Sequence, residues 1–380
     1  MNILMTLANP FTHDARVYNE ARSLVKKGHN VTVLAWDRNN ENPPLEIIDG
    51  IEIVRSYNTK FMNLVKNDIF RMYLWWTKGY KDAVQLHKTK HFEIIHSHDL
   101  SSLSIGVKLK RKLGIPLIYD AHEIFGYMIS KDVPKFFVKR AFSTEKKLIR
   151  KVDHIITVNK PLQEYFKSIS DKPITIVMNC KQLQETKYQP TNNSKFTLLY
   201  LGNLDKNRFL LELVDVVKEL YNVYCIIGGK GKPKYVESLK EKISTTKNVD
   251  FMGLIPMNEV LAMTKKADLV ICMTSPAALC GSQASANKQF EAMVCGRPII
   301  CTKGTYPGQT TLKEKCGLVS DFSKESLKKA IIKLRDDQAF REELGRNALN
   351  AAVREYNWEK QEKNLIKVYE EMENYKSDNK

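Results

Sequence analysis

Residues 92–122, FEIIHSHDLSSLSIGVKLKRKLGIPLIYDAH, decide how the chain is read. A short apolar run, FEIIHS, leads into a helix-length stretch over 100–113, Gly114 stands where a helix C-cap belongs, and a second apolar run, PLIYDA, follows at once. Strand, helix, strand is the repeating unit of a parallel sheet. The rhythm continues on both sides. In the first half, strands are expected at NILMTLA, NVTVLA, IEIVRS, FEIIHS, PLIYDA, HIITV and ITIVM. Helices are expected over 15–27, 64–88, 100–113 and 160–167, with Gly28 as a second C-cap.

Residues 181–195, KQLQETKYQPTNNSK, are polar and turn-rich and carry no apolar periodicity, as a linker would. The alternation then restarts with FTLLYLG, a helix over 208–220, VYCIIGG, NVDFMG, DLVICM, a helix over 284–294, and RPIICT. The last 60 residues turn to charged helices. An α/β chain of two Rossmann-like domains is therefore expected, with a first domain at 1–185, a linker at 186–195, a second domain at 196–357, and a C-terminal helix and tail at 358–380. Ligands of open α/β sheets bind at the carboxyl ends of the strands, so two such sheets would face one cleft.

At 380 residues the chain is long enough for two cores, and 43% hydrophobic with 27% charged residues excludes a disordered or fibrous protein. No apolar run reaches the roughly 18 residues that span a bilayer. The start, MNILMTLANPFTHDAR, lacks the basic opening and cleavage site of a signal peptide, so a cytoplasmic location is expected. All seven cysteines lie from residue 180 onward, several inside apolar strands, and read as reduced core residues. Their spacings are too wide for zinc, so no metal is expected.

The net charge of +17 is uneven: residues 51–200 hold 26 Lys+Arg against 13 Asp+Glu. Such a field draws anionic partners: lipid headgroups, phosphorylated substrates or nucleic acid. No helix-turn-helix, RNP or zinc pattern supports nucleic acid, which is not expected as a partner.

Three loops of the second half carry candidate chemistry. In LGNLDKNR, Gly202 ends a strand, Asn203 follows it and Arg208 opens a helix, a place where backbone donors and a guanidinium can meet phosphate. In IIGGKGK, Gly228, Gly229 and Gly231 allow close backbone approach, with Lys230 and Lys232 beside them. In SQASANKQFEAMVCGRPIIC, residues 282–301, Gln283, Asn287 and Lys288 precede or open a helix bearing Glu291. A carboxylate there can accept both hydroxyls of a ribose while free amides at the helix start bind a pyrophosphate. In the first half, two strand ends carry histidine: His96 and His98 with Asp99, then Asp120, His122 and Glu123. A histidine so placed can bond a sugar or a leaving phosphate and titrate near neutrality.

Read together, DARVYNEARSLVKKGHNVTVLA, HSHDLSSLSIGVKLKRKLGIPLIYDAHE, EKKLIRKVDHIITVN, LLYLGNLDKNR, FMGLIP and NKQFEAMVCGRPII resemble, in order and over nearly the full length, the family-four glycosyltransferases of the GT-B fold. The resemblance implies a retaining transferase that uses a nucleoside diphosphate sugar, with an acceptor-binding first domain, a donor-binding second domain, and a C-terminal helix returning to the first. It implies that Arg208, at the family's lysine position, contacts the diphosphate, that Glu291 holds the ribose, and that His122 lies near the transferred sugar, with Asp120 and Glu123 beside it as catalytic candidates. Gly202, Asn203, Arg208, Gly229, Lys230, Gln283, Asn287, Lys288 and Glu291 then form the donor site. Two departures stand out: Asn203 replaces a common arginine, and Gln283 replaces the first of the family's paired glutamates.

No Asp-x-Asp occurs, so a metal-independent reaction without a cofactor is expected, the phosphate charge being met by Arg208, lysines and helix starts. A nucleotide-sugar 2-epimerase of the same fold, or a catalytically silent sugar-nucleotide-binding protein, are the alternatives. The expected acceptor is a lipid-linked or cell-surface glycan. Residues 59–83 and 130–151 interleave lysines and arginines with Phe61, Phe70, Tyr73, Trp75 and Trp76, which suits an anionic bilayer surface and peripheral attachment at the inner face of the cell membrane. The opposing expectation is that Trp75, Trp76 and Phe70 pack on the first sheet.

Overall fold

The structure is a computed structural model that describes residues 1–12, 14–130 and 133–377. His13 of the first loop, Lys131 and Asp132 of the basic segment, and the Cys280 side chain lie outside what is described. The chain divides into two units, residues 1–177 with the segment from Glu362 onward, and Met178–Gln361.

The first unit runs β1 (Asn2–Leu7), α1 (Ala15–Lys26), β2 (Asn30–Asp37), β3 (Leu45–Ile48), β4 (Ile51–Tyr57), α2 (Lys60–Leu64) and α3 (Asp68–Lys90). It continues through β5 (Ile94–His98), α4 (Asp99–Leu113), β6 (Leu117–Ala121), α5 (Phe125–Ile129), α6 (Lys135–Ile149), β7 (His154–Thr157), α7 (Lys160–Ile169) and β8 (Ile174–Ile176). The sheet order is β3-β4-β2-β1-β5-β6-β7-β8. Every pairing is parallel except β3 with β4, an antiparallel edge that the sequence rhythm did not reveal because LEII is short and half exposed. Its central strands are buried along their length, which is why they read as unbroken apolar runs. Gly114, at φ 69, caps α4 as expected.

The single helix expected over 64–88 is two. Asn67 accepts from the backbone of Ile69 (3.0 Å) and Phe70 (3.2 Å), and this N-cap starts α3 afresh. Helices α5 and α6 occupy a stretch read from its composition only as basic and aromatic. Trp75 is fully buried and stacks on Trp36 with centroids 5.0 Å apart, and Trp76 donates its ring N–H to the Ser101 carbonyl at 2.6 Å. The tryptophans therefore belong to the core and face no membrane, whereas Phe61, Leu64, Phe70 and Phe136 are exposed.

The second unit runs β9 (Phe196–Leu204), α8 (Leu210–Lys218), β10 (Val223–Gly231), α9 (Pro233–Ser244), β11 (Val249–Gly253), α10 (Met257–Lys266), β12 (Leu269–Cys272), α11 (Leu279–Gln283) and α12 (Asn287–Val294). Then come β13 (Ile299–Thr302), α13 (Tyr306–Lys313), β14 (Gly317–Ser320), α14 (Lys324–Asp336), α15 (Gln338–Arg354) and α16 (Trp358–Ser377). Its six strands are all parallel, in the order β11-β10-β9-β12-β13-β14.

The changeover at Val177 and Met178 precedes the expected linker, and 186–195 is packed on the second unit. Thr191 bonds Asp268, Asn193 donates to the same carboxylate at 2.9 Å, and the Arg346 guanidinium lies 4.7 Å above the Tyr188 ring. Side-chain hydrogen bonds of this kind leave no periodicity in a sequence, so a tied-down segment reads as a loose one. From Glu362 onward α16 belongs to the first unit, where the Tyr369 hydroxyl meets His96 Nδ1 at 2.8 Å.

Candidate functional site

Two constellations form, one at the carboxyl edge of each sheet. In the second unit β9 and β10 remain paired past the core, with Gly202 opposite Gly229, Asn203 opposite Lys230 and Leu204 opposite Gly231. A Cβ on Gly229 would lie 1.7 Å from the Gly202 carbonyl oxygen, and one on Gly231 would lie 2.0 Å from that of Leu204. These two glycines are thus demanded by the neighbouring strand, and the expected pair of separate strand-to-helix turns is one two-stranded extension.

Gly202 is different. Its φ is 148, and a Cβ there would meet Lys288 Nζ at 2.6 Å. The absent side chain leaves room for that lysine, whose ammonium sits 4.5 Å over the Tyr200 ring. Burial holds the Lys288 pKa below its ordinary 10.5.

Arg208 ends a short 3-10 turn, Lys206–Arg208, instead of opening α8 as expected. Asp205 caps that turn through the Asn207 N–H at 2.8 Å, and Phe209, left-handed at φ 60, redirects the backbone before α8 begins. The guanidinium donates to Thr274 Oγ1 at 2.8 Å and lies 3.5 Å from the Asp205 carboxylate. Asn203, exposed, donates to Asp205 at 2.9 Å, so in place of a cation it restrains the turn that carries Arg208.

The helix expected over 284–294 is α12, which starts three residues later at Asn287, and a separate short helix, α11, precedes it. Gln283, half buried, is the last residue of α11, so it shares no helix with Glu291. The N-cap of α12 is Ala286, which offers no side-chain bond, and a helix start favours an anion. Asn287 Oδ1 accepts from Asn179 at 2.9 Å. Glu291, 8% exposed, faces Lys181 Nζ at 3.3 Å. Lys230 is exposed at the sheet edge. The sequence reading missed Lys181, Thr274 and Tyr200. Lys181 lies in text read as part of the first domain, and no local spacing ties it to Glu291.

In the first unit Asp120, fully buried at the end of β6, is the hub. Arg16 grips it with two N–H groups, Nε at 2.9 Å and Nη2 at 2.7 Å. His122 Nε2 lies 2.7 Å from it and His98 Nδ1 3.2 Å. Asp99, left-handed at φ 58, accepts from the His122 backbone N–H at 3.1 Å and faces its Nδ1 at 3.1 Å. Burial alone would raise the Asp120 pKa, but Arg16 and then His122 outweigh it and hold the carboxyl well below 3.8. Burial would lower the His122 pKa, yet Asp99 and Asp120 keep it well above 6.5. His122 is therefore an imidazolium with both ring nitrogens engaged, which corrects the expectation of a histidine titrating near neutrality. Glu123 lies half buried in the loop from β6 to α5.

His96 is turned to Tyr369 and stacks on His98 at 4.3 Å, so it is a core group. Glu20, His96, His98 and Asp120 offer ligand atoms within 4.8 Å of one another. Arg16, 3.0 Å from Glu20 and 2.7 Å from Asp120, already supplies positive charge there, and burial raises the Glu20 pKa above its ordinary value. Beside the hub, residues 7–9 at the end of β1 and 99–101 at the start of α4 open on a cavity of about 630 Å³ with Arg38, Lys66, Asp68 and Arg140 among apolar Met72, Phe125 and Phe137.

Two open parallel sheets, each gathering its charged side chains at the carboxyl edge, define the GT-B architecture of sugar-transferring enzymes. Residues 15–181 match the family Glycosyltransferase Family 4 and residues 182–351 match Glycosyl transferases group 1, so the chain belongs to the family-four glycosyltransferases. It is 22% identical to a D-inositol 3-phosphate glycosyltransferase of Corynebacterium glutamicum, over 93% of this chain and 90% of the relative. It is 23% identical to an uncharacterized glycosyltransferase of Methanocaldococcus jannaschii, over 87% and 84%. In fold it resembles sucrose-phosphate synthase of Thermosynechococcus elongatus (TM-score 0.81, 16% identity, 98% and 99% covered). It also resembles Anabaena HepE solved with UDP-glucose (TM-score 0.73, 15% identity, 98% and 100% covered). Among the described residues no helix is long and apolar enough to cross a membrane.

Proposed function

We propose that this glycosyltransferase takes its sugar from a nucleoside diphosphate donor and passes it, with retention and without a metal ion, to a hydroxyl of a lipid-linked or cell-surface glycan during polysaccharide assembly. The observation that carries the reading is the convergence of Lys288 on Gly202 beside Arg208, the uncapped start of α12 and the carboxylate of Glu291. Cations and helix donors suit a diphosphate, and a carboxylate suits a ribose. That HepE has been solved with UDP and with UDP-glucose supports the donor class.

In the step, the bond from the anomeric carbon to the diphosphate oxygen breaks and the acceptor oxygen bonds that carbon on the same face. The acceptor's proton passes to the leaving diphosphate, whose growing charge Arg208 and Lys288 stabilise. Incubation with UDP-, GDP- and ADP-sugars in the presence of a chelator tests this. Glu291→Ala is expected to weaken nucleotide binding by about 1.5 to 3 kcal/mol. Unchanged affinity in a folded variant removes Glu291 from the site, loss of turnover with chelator removes metal independence, and an epimerised sugar nucleotide without transfer replaces the reading with a 2-epimerase.

The 630 Å³ cavity, with Arg38, Lys66 and Arg140 facing Asp68 and Asp99 among apolar side chains, supports an acceptor that has both an apolar part and polar groups. Exposed Phe61, Leu64, Phe70 and Phe136, with Lys60, Lys66, Lys135 and Lys139 near them in the chain, support peripheral attachment at the cytoplasmic face of the membrane, at about 1 kcal/mol per basic residue close to anionic headgroups. Sedimentation with anionic and neutral liposomes is expected to show binding that needs anionic lipid and fades in high salt. Equal binding to both liposomes, or none, favours a soluble acceptor.

A further inference from the structure

The second unit holds a separate cavity of about 430 Å³ at the opposite edge of its sheet. Arg297, on its wall, lies two residues before β13, so it stands at the amino end of parallel strands whose carboxyl ends carry Gly202 and Arg208. Its side chain is 3% exposed and makes no hydrogen bond or ion pair with any described residue, and its buried Nε has no partner. A buried guanidinium normally has a carboxylate beside it, because an unpaired charge out of water is costly. The nearby acids are committed elsewhere. Glu185 is paired with Lys265, and Asp268 accepts from the Thr197 N–H at 2.7 Å and from Asn193 at 2.9 Å.

The cavity wall therefore carries Arg297, Lys187 and Lys265 against Glu185 alone, two positive charges in excess. Its remaining surface mixes the amides of Gln184 and Asn258 with apolar Leu261. Its volume is that of a small-molecule pocket. A planar guanidinium fork suits an oxyanion, and two excess charges match a dianion.

We propose that this cavity is a second anion site that takes a small phosphate ester, its phosphate on the Arg297 guanidinium, apart from the donor site. The phosphate supplies the charge that Arg297 lacks, Lys187 adds a second cation at the exposed side, and the amides face the polar body of the ester. The buried arginine is thereby a ligand group and not a structural one.

Isothermal titration and melting of the full chain with glucose 6-phosphate, inorganic phosphate and glucose test the proposal. The phosphates are expected to bind saturably and raise the melting temperature, while glucose does neither. Arg297→Met is expected to weaken phosphate binding at least tenfold while melting no lower than wild type without ligand, since it removes an unpaired buried charge. Lys187→Ala, at an exposed position, is expected to weaken binding about threefold and serves if Arg297→Met does not fold. Arg208→Ala, altered in the donor site, is expected to bind phosphate as wild type does. No saturable binding overturns the proposal, as does binding unchanged in Arg297→Met and Lys187→Ala. Binding lost in Arg208→Ala places the anion in the donor site and overturns it equally, whether or not the donor reading holds.

Discussion

Asp120→Asn is expected to destabilise the first unit by about 3 to 5 kcal/mol, the cost of removing one partner from a buried ion pair. The substitution keeps the shape of the side chain and deletes the charge that Arg16, 4% exposed, and the His122 imidazolium both need. Because the native carboxyl titrates well below 3.8, its contribution is complete above its ordinary pKa and is lost as pH falls through the native value. The deficit of the variant is therefore expected to be full at neutral pH and to shrink in acid. Denaturant unfolding followed by tryptophan fluorescence reads it, since Trp36, Trp75 and Trp76 are all buried in the first unit. A loss under 1 kcal/mol at pH 7 would mean that Arg16 finds another partner.

That network shows how far the sequence could be read. The strand ends IIHSH and IYDAH were legible because apolar runs buried on both faces stop abruptly at polar residues, and polar residues at the carboxyl ends of parallel strands gather at one edge. Arg16 was not legible as their partner. It lies on the buried face of α1, and only the parallel order β1-β5-β6 brings it to Asp120. The same limit explains why His96 and His98, two residues apart, differ in role: the first meets Tyr369 of α16, an element far along the chain. In the second unit the glycine loops were visible, but their cause was not, because a Cβ clash between β9 and β10 depends on register. Lys181 escaped for the reason that misplaced the domain boundary. Polar text reads as linker whether it is loose or, like Lys181 beside Glu291, held by a charge from a distant helix.

Arg208→Ala is expected to lower kcat/KM for a nucleoside diphosphate sugar by roughly 10²- to 10³-fold, the loss found when one preorganised donor to a developing anion is removed. The side chain is well placed for this. The Asp205-capped turn and left-handed Phe209 fix its backbone, Thr274 anchors Nη1, and buried Nε has no hydrogen bond of its own. If it serves the diphosphate, the variant binds the nucleoside as wild type does and binds the diphosphate more weakly. Arg208→Lys, which restores the residue that the family resemblance places here, keeps the charge but not the fork, and is expected to recover part of the rate. Equal weakening toward nucleoside and diphosphate would assign Arg208 to shaping the loop between β9 and α8. Full activity in Arg208→Ala would move the phosphate to Lys288 and the start of α12, which the Lys288 pKa, lowered by burial, makes the next group to test.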